Sequence, residues 1–264
     1  MDVTTSTIEL STPDGKMEAY EARPKDGGSL PAIIVLMEVF GLNSHIKDVT
    51  ERIAREGYVA IAPDLHHREP QRTFPYTELQ KAKDASSRLQ DPKVMGDVGA
   101  VISHLKSQSY VKASAIGITG FCMGGRVTYL AAAHHNKDIK AAVSFYGGGI
   151  PMESLAALHH RKDIKVAASS HGGGPPMGNA SPLDRTSEIN CPIYLFFGAK
   201  DHVVPQQDVE KIVEALRNTK RNFTHMVYPE AGHSFFCDDA NSYHADSAKD
   251  AWEKLKSFFA QHLD

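Results

Sequence analysis

The stretch Gly120-Phe121-Cys122-Met123-Gly124-Gly125 constrains this chain more than any other. An apolar run, Ser114 to Thr119, precedes it, and a run that reads as helix, Arg126 to Ala133, follows it. A strand, a Gly-x-Cys-x-Gly turn and a helix are the layout of a nucleophile elbow, which holds one reactive side chain at the tip of a strained turn. The neighbours of that side chain must be small. Gly120 and Gly124 let a helix begin close to a strand and accept backbone angles that other residues resist. The positive end of the helix then points at Cys122 and favours a thiolate over a thiol. A lone cysteine is otherwise a small buried hydrophobe, so the elbow by itself leaves both readings open.

The rest of the chain alternates in kind. Thr7 to Arg23 reads as two strands joined by a Pro13-Asp14-Gly15 turn. Pro31 to Met37 is a continuous apolar run suited to a strand buried on both faces, and it ends in Glu38-Val39-Phe40-Gly41. A helix is expected from Asn43 or Ser44, with Ile46, Val49 and Ile53 on one face and Gly57 at its end. A strand from Tyr58 to Ala62, a polar loop from Leu65 to Tyr76 and two helical stretches follow; Val98, Val101, Ile102 and Leu105 mark a face of the second. Beyond the elbow come strands at Ala141 to Phe145, Pro192 to Phe197 and Thr224 to Tyr228, a helix carrying Val209, Ile212, Val213 and Leu216, and a last helix from about Tyr243 with Ala248, Trp252, Leu255 and Phe259 facing inward. This predicts one α/β domain over residues 1–264, with a mostly parallel central sheet and helices on both faces. Residues 150–190, with the Gly172 to Gly174 triplet, Pro175, Pro176 and Pro182, read as a long loop or small lid.

Composition excludes several classes. A formal net charge of -3 leaves no electrostatic footprint for nucleic acid. No apolar run reaches the ~20 residues of a membrane helix. Three cysteines, Cys122, Cys191 and Cys237, are too few and odd in number for a disulfide framework. With no secretory signal pattern at Met1-Asp2-Val3, a cytoplasmic protein is expected. The histidine doublets His66-His67, His134-His135 and His159-His160 lack the spacing of metal ligands and read as surface residues, so no metal and no cofactor are expected.

In a parallel sheet, functional groups gather beyond the carboxyl ends of the strands. Four chemically capable groups fall there: Glu38, Cys122, Asp201 and His233. Cys122, Asp201 and His233 follow the order nucleophile, acid, histidine, which is the α/β-hydrolase order. A free thiol titrates at about 8.5, so it needs a base or a local field near neutral pH. His233 can be that base, and Asp201 can hold the imidazole in the right tautomer. The amides of Met123 and Val39 are the expected oxyanion donors.

These stretches, Met37-Glu38-Val39-Phe40-Gly41-Leu42-Asn43, the Gly-Phe-Cys-Met-Gly-Gly elbow, Gly198 to Pro205 and Gly232-His233-Ser234-Phe235, resemble the dienelactone hydrolase (carboxymethylenebutenolidase) family of α/β hydrolases. The resemblance runs in order over nearly the whole chain. It implies that Cys122, Asp201 and His233 are the triad and that Val39 and Met123 supply the oxyanion hole. It also implies that Glu38 bonds the resting thiol and takes its proton when substrate binds. Dienelactone-cleaving members of the family bind a substrate carboxylate with two arginines, one shortly after the histidine. Here no arginine follows His233. Arg68 or Arg72 stands for the other, and Phe40 and Phe235 are candidate pocket walls.

The expected function is cysteine-dependent hydrolysis of a small activated ester or lactone through a thioester, with no nucleic-acid or membrane partner. A general carboxylesterase or thioesterase on the same triad, and a non-hydrolytic thiol-redox or binding protein, are the alternatives. The oligomeric state is left open by the sequence.

Overall fold

The computed structural model describes residues 1–154 and 180–263. Its frame is an eight-stranded sheet: β1 (Val3–Thr12), β2 (Gly15–Pro24), β3 (Leu30–Leu36), β4 (Val59–Pro63), β5 (Val111–Phe121), β6 (Ile139–Phe145), β7 (Ile193–Gly198) and β8 (Phe223–Tyr228), in the spatial order β1-β2-β4-β3-β5-β6-β7-β8. β1 and β2 form a hairpin, and β2 lies antiparallel to β4; every pairing from β4 to β8 is parallel. The helices around it are α1 (Ser44–Arg55), α2 (Leu79–Ser87), α3 (Asp91–Ser107), α4 (Met123–His134), α5 (Gln206–Asn218) and α6 (Ala245–Leu263). This is the expected α/β-hydrolase architecture. The proposed loop or lid of 150–190 falls largely on residues 155–179, which lie outside the described residues.

Burial follows from the pairing. β3 and β5 are the central strands, and Ile33, Ile34, Val35 and Leu36 are fully buried, as the unbroken apolar run requires. β5 is longer than its apolar stretch suggests. Its first turn of pairing is irregular, with a register shift between Leu30 and Ala32 on β3, and Lys112, Ala113 and Ser114 are exposed there. Apolar content therefore marks only its inner half. α4 starts at Met123, three residues before the expected Arg126, because Gly124 and Gly125 are helical; glycine disguises a helix start when close packing, not propensity, selects it. A side chain on Gly124 would collide with the carbonyl oxygens of Leu36 and Met37, so this glycine lets the elbow helix rest on the end of β3.

Asn43 caps α1 by accepting a hydrogen bond from the Ile46 amide at 3.1 Å. Ile46, Val49 and Ile53 are buried as their spacing predicts. The histidine doublets require a correction. His66 is fully buried, its ring between the Arg72 carbonyl and the Ser86 hydroxyl, and the His67 side chain is buried against Asp97. Both rings have polar partners in the interior, which makes burial tolerable. His134 and His135 are half-buried, and His159 and His160 lie outside the described residues.

One buried ion pair braces the elbow helix. Arg126, fully buried on α4, donates to both carboxylate oxygens of Asp91 at 2.7 and 2.9 Å and to the carbonyls of Gly149 and Met152. Removing one partner would strand the other charge in the interior. Arg126→Met should therefore lower the free energy of unfolding by about 3–5 kcal/mol, read from urea denaturation; a loss under ~1 kcal/mol would contradict this.

Candidate active site

Cys122 sits between β5 and α4 with φ 54° and ψ -115°, a left-handed conformation that a non-glycine residue adopts only under constraint. The constraint is visible. Its amide donates to the Phe145 carbonyl at 3.0 Å, and its own carbonyl accepts from the amides of Gly125 and Arg126. Besides Cys122, Tyr146 (φ 38°) and Ser234 (φ 59°) are strained in the same sense, and both flank this site; the remaining described case, Lys220, precedes β8. Backbone strain of this kind collects where geometry serves chemistry.

Asp201 and His233 follow the ends of β7 and β8. The loops after β7 and β8 are tied together: Ala199 and Lys200 amides donate to the carbonyls of Tyr228 and Ala231. A side chain on Gly198 would strike the Ala231 carbonyl, so that glycine permits the approach. One oxygen of the Asp201 carboxylate accepts from the amides of Val203 (2.7 Å) and Val204 (2.9 Å). The other accepts from Nδ1 of His233 at 2.8 Å. A carboxylate can only accept, so Nδ1 carries the proton. Nε2 is buried and closes no hydrogen bond of normal geometry. Burial alone would lower the pKa of His233; the charge of Cys122 and the bond to Asp201 outweigh it and hold the imidazole well above its ordinary value.

Glu38, just past β3, is 1% exposed. Oε1 accepts from the Ser234 hydroxyl at 3.1 Å, while Oε2 is buried without a hydrogen-bond partner. The bond Glu38 makes here is thus to the residue after His233. The Val39 and Met123 amides donate to no protein acceptor among the described residues, as oxyanion donors must not. Around Glu38 lies a buried polar cluster that single-residue reading of the sequence did not find. Asn43 donates to the Tyr76 hydroxyl at 3.1 Å, and that hydroxyl lies 3.0 Å from Sγ of Cys237. Tyr146 is fully buried with its hydroxyl unpaired, its ring edge-on to His233 at 5.1 Å. Burial, then the charge of Glu38, pushes the hydroxyls of Tyr76 and Tyr146 up, and lifts the Cys237 thiol to about 12. Only the fold brings these residues together; no spacing links Tyr76, Tyr146 and Cys237.

The other candidates are placed differently. Arg68 is bidentate to Asp97 and also bonded to Asp14. Arg72 pairs with Glu18 and Asp64, each at 3.2 Å. Both guanidinium groups thus already face carboxylates of the protein. Phe40 is buried against the Tyr76 ring at 4.5 Å. Phe235 is fully buried among Phe145, Tyr146 and Tyr228, where it packs beneath the histidine loop.

With that geometry in hand, comparison with known proteins is decisive. The profile of the dienelactone hydrolase family matches residues 17–263. This chain belongs to the dienelactone hydrolase family. It is 35% identical, over all of its length and 99% of the relative's, to a Synechocystis protein named "Putative carboxymethylenebutenolidase". It is 30% identical, over 97% of its length and 94% of the relative's, to a Bradyrhizobium protein named "Probable 2-oxo-3-(5-oxofuran-2-ylidene)propanoate lactonase". A crystal structure titled as a putative dienelactone hydrolase from Klebsiella pneumoniae superposes with a TM-score of 0.82 at 35% identity, covering 99% of this chain and 100% of that one. Like its family, the chain is a carboxylic ester hydrolase of the dienelactone hydrolase type. Among the described residues no helix is long and apolar enough to cross a membrane.

Proposed function

We propose that this dienelactone hydrolase cleaves small activated esters or enol lactones with Cys122 as the nucleophile. The observation that carries the reading is the imidazole of His233, oriented by Asp201 at 2.8 Å, with its free nitrogen left for a thiol held in a strained turn.

The steps follow from the roles. The Cys122 proton passes to His233, with the Glu38 carboxylate as the second base nearby. The thiolate adds to the ester carbonyl, and the amides of Val39 and Met123 receive the oxyanion. The tetrahedral intermediate collapses, the C–O bond breaks, and His233 hands its proton to the leaving oxygen. The resulting thioester is opened by a water that gives its proton to His233; the acid leaves and the thiol re-forms. Asp201 keeps the imidazole in the tautomer that each transfer needs and stabilises its cation.

The nucleophile also selects the substrate. A thiolate is a better leaving group than an alkoxide, so the intermediate from an alkyl ester reverts. An enolate or phenolate departs forward. The rate should therefore depend steeply on the leaving group. An aryl acetate should be turned over at least about 100-fold faster than the corresponding alkyl acetate, measured as kcat/KM, which corresponds to about 2.7 kcal/mol. Equal rates would sink the thiolate mechanism and favour a general carboxylesterase. The lactonase name of the Bradyrhizobium relative agrees with an enol lactone. With Arg68 and Arg72 both paired to carboxylates, recognition of a substrate carboxylate by either finds no support in the side-chain geometry.

A further inference from the structure

Beside the triad lies a cluster that the hydrolytic mechanism uses only in part. A carboxylate oxygen of Glu38, a ring nitrogen of His45 and the sulfur of Cys237 all lie within 4.8 Å of one another, and all three residues are buried. His45 comes from the first turn of α1, Glu38 from the end of β3 and Cys237 from the loop after His233. Two of these side chains carry unsatisfied polar atoms in the interior. Oε2 of Glu38, in a residue 1% exposed, and Nε2 of His45, in a residue 3% exposed, have no hydrogen-bond partner. Buried polar atoms without partners are costly, and two of them in one three-residue cluster point to a ligand.

We propose that Glu38, His45 and Cys237 form a binding site for one divalent zinc ion, and that its occupancy switches hydrolysis off by engaging Glu38. Three arguments support zinc. The donor set is one oxygen, one nitrogen and one sulfur, which suits a borderline-soft tetrahedral ion better than magnesium or calcium. Bonds of about 2.0–2.3 Å set ligand atoms of a tetrahedron roughly 3.3–3.8 Å apart, so a cluster whose atoms lie within 4.8 Å of one another needs to contract by no more than about 1.5 Å. Charge also balances: the ion's two positive charges meet one carboxylate and one thiolate, with a neutral imidazole. A neutral assembly is what a buried site tolerates.

Binding releases one proton. The Cys237 S–H bond breaks, a zinc–sulfur bond forms, and the proton goes to solvent. Without the ion, burial and the charge of Glu38 favour the protonated thiol; a divalent ion beside the sulfur favours the thiolate instead. Tyr76, 3.0 Å from Sγ, can donate to the bound thiolate. The inhibitory half of the proposal rests on the role given to Glu38 above; the binding half does not.

Zinc can also attack the Cys122–His233 pair directly, so the test separates the two sites. Cobalt(II), a spectroscopic stand-in for zinc, is titrated into the Cys122→Ala/Cys191→Ala variant, whose remaining thiol is Cys237. A thiolate-to-cobalt charge-transfer band at one equivalent, displaced by zinc, is expected. His45→Gln and Cys237→Ser, checked for folding by circular dichroism, should each weaken zinc binding at least about 100-fold. Wild-type hydrolysis of an aryl ester should fall at least about tenfold on zinc loading and return with a chelator. No band in the double variant, or zinc binding lost with Cys122→Ala but kept in His45→Gln, would overturn the site. One-equivalent binding with hydrolysis unchanged would uphold the site, overturn the switch, and count against Glu38 as a participant in catalysis.

Discussion

Cys122→Ala should lower kcat/KM for an aryl ester or enol lactone by at least about 10⁴-fold, with the folded state intact. The size follows from what is removed. The alanine keeps the elbow, the Val39 and Met123 amides and the Asp201–His233 pair, but nothing remains to form the acyl-enzyme. What survives is water attack assisted by His233 and the oxyanion donors, which elsewhere leaves a residue of rate far below the intact triad. Stability should change little, since Cys122 is buried but small and the strained backbone is held by its own amide and carbonyl bonds to Phe145, Gly125 and Arg126. Turnover within tenfold of wild type would mean that the thiol is a packing residue.

Asp201→Asn should lower kcat/KM by about 10⁴-fold as well, for a different reason. An amide accepts the two backbone bonds from Val203 and Val204 as readily as the carboxylate does. Its other end, though, can present N–H to His233 Nδ1 and turn the imidazole to the wrong tautomer. The change also removes one of the pulls that raises the His233 pKa. The sign of the pH effect follows. A group whose folded pKa lies above its unfolded value, here about 6.5, contributes stability in full below that value and loses it as pH rises through the folded pKa. The stability gap between wild type and Asp201→Asn should therefore be widest in mildly acid solution and narrow toward alkaline pH, as urea midpoints would report. A gap that widened instead would mean that Asp201 does not favour the imidazolium.

These two predictions rest on residues that the sequence displayed openly. Cys122 lies in a turn whose glycines have a steric reason, and Asp201 and His233 each follow a short apolar strand, so one-dimensional pattern and known sheet topology were enough to place all three at the carboxyl ends of the parallel strands. Glu38 was visible as a strand-end carboxylate, but a role for it came only from family resemblance, because a carboxylate after a strand is unremarkable until its burial is known. The surrounding polar cluster was not legible at all. His45 reads as one helix residue among many, Tyr76 lies beyond a proline-rich loop, and Cys237 is four positions past His233; they meet because α1, that loop and the histidine loop close over the end of β3. The ion pairs of the two arginines were hidden for a related reason. Arg68 and Arg72 sit in the right part of the chain, yet their partners, Asp14, Asp97, Glu18 and Asp64, come from elements that no local pattern connects. The same holds for His66, whose burial depends on Ser86 twenty positions away.

The most direct measurement is to catch the acyl-enzyme. Wild-type protein mixed with a slowly deacylating aryl ester, quenched in acid and digested, should carry the acyl group as a thioester on the peptide containing Cys122, and His233→Ala should carry far less. Steady turnover with no acyl group on that peptide, or with the label on Cys237 or on a serine, would contradict a nucleophilic Cys122.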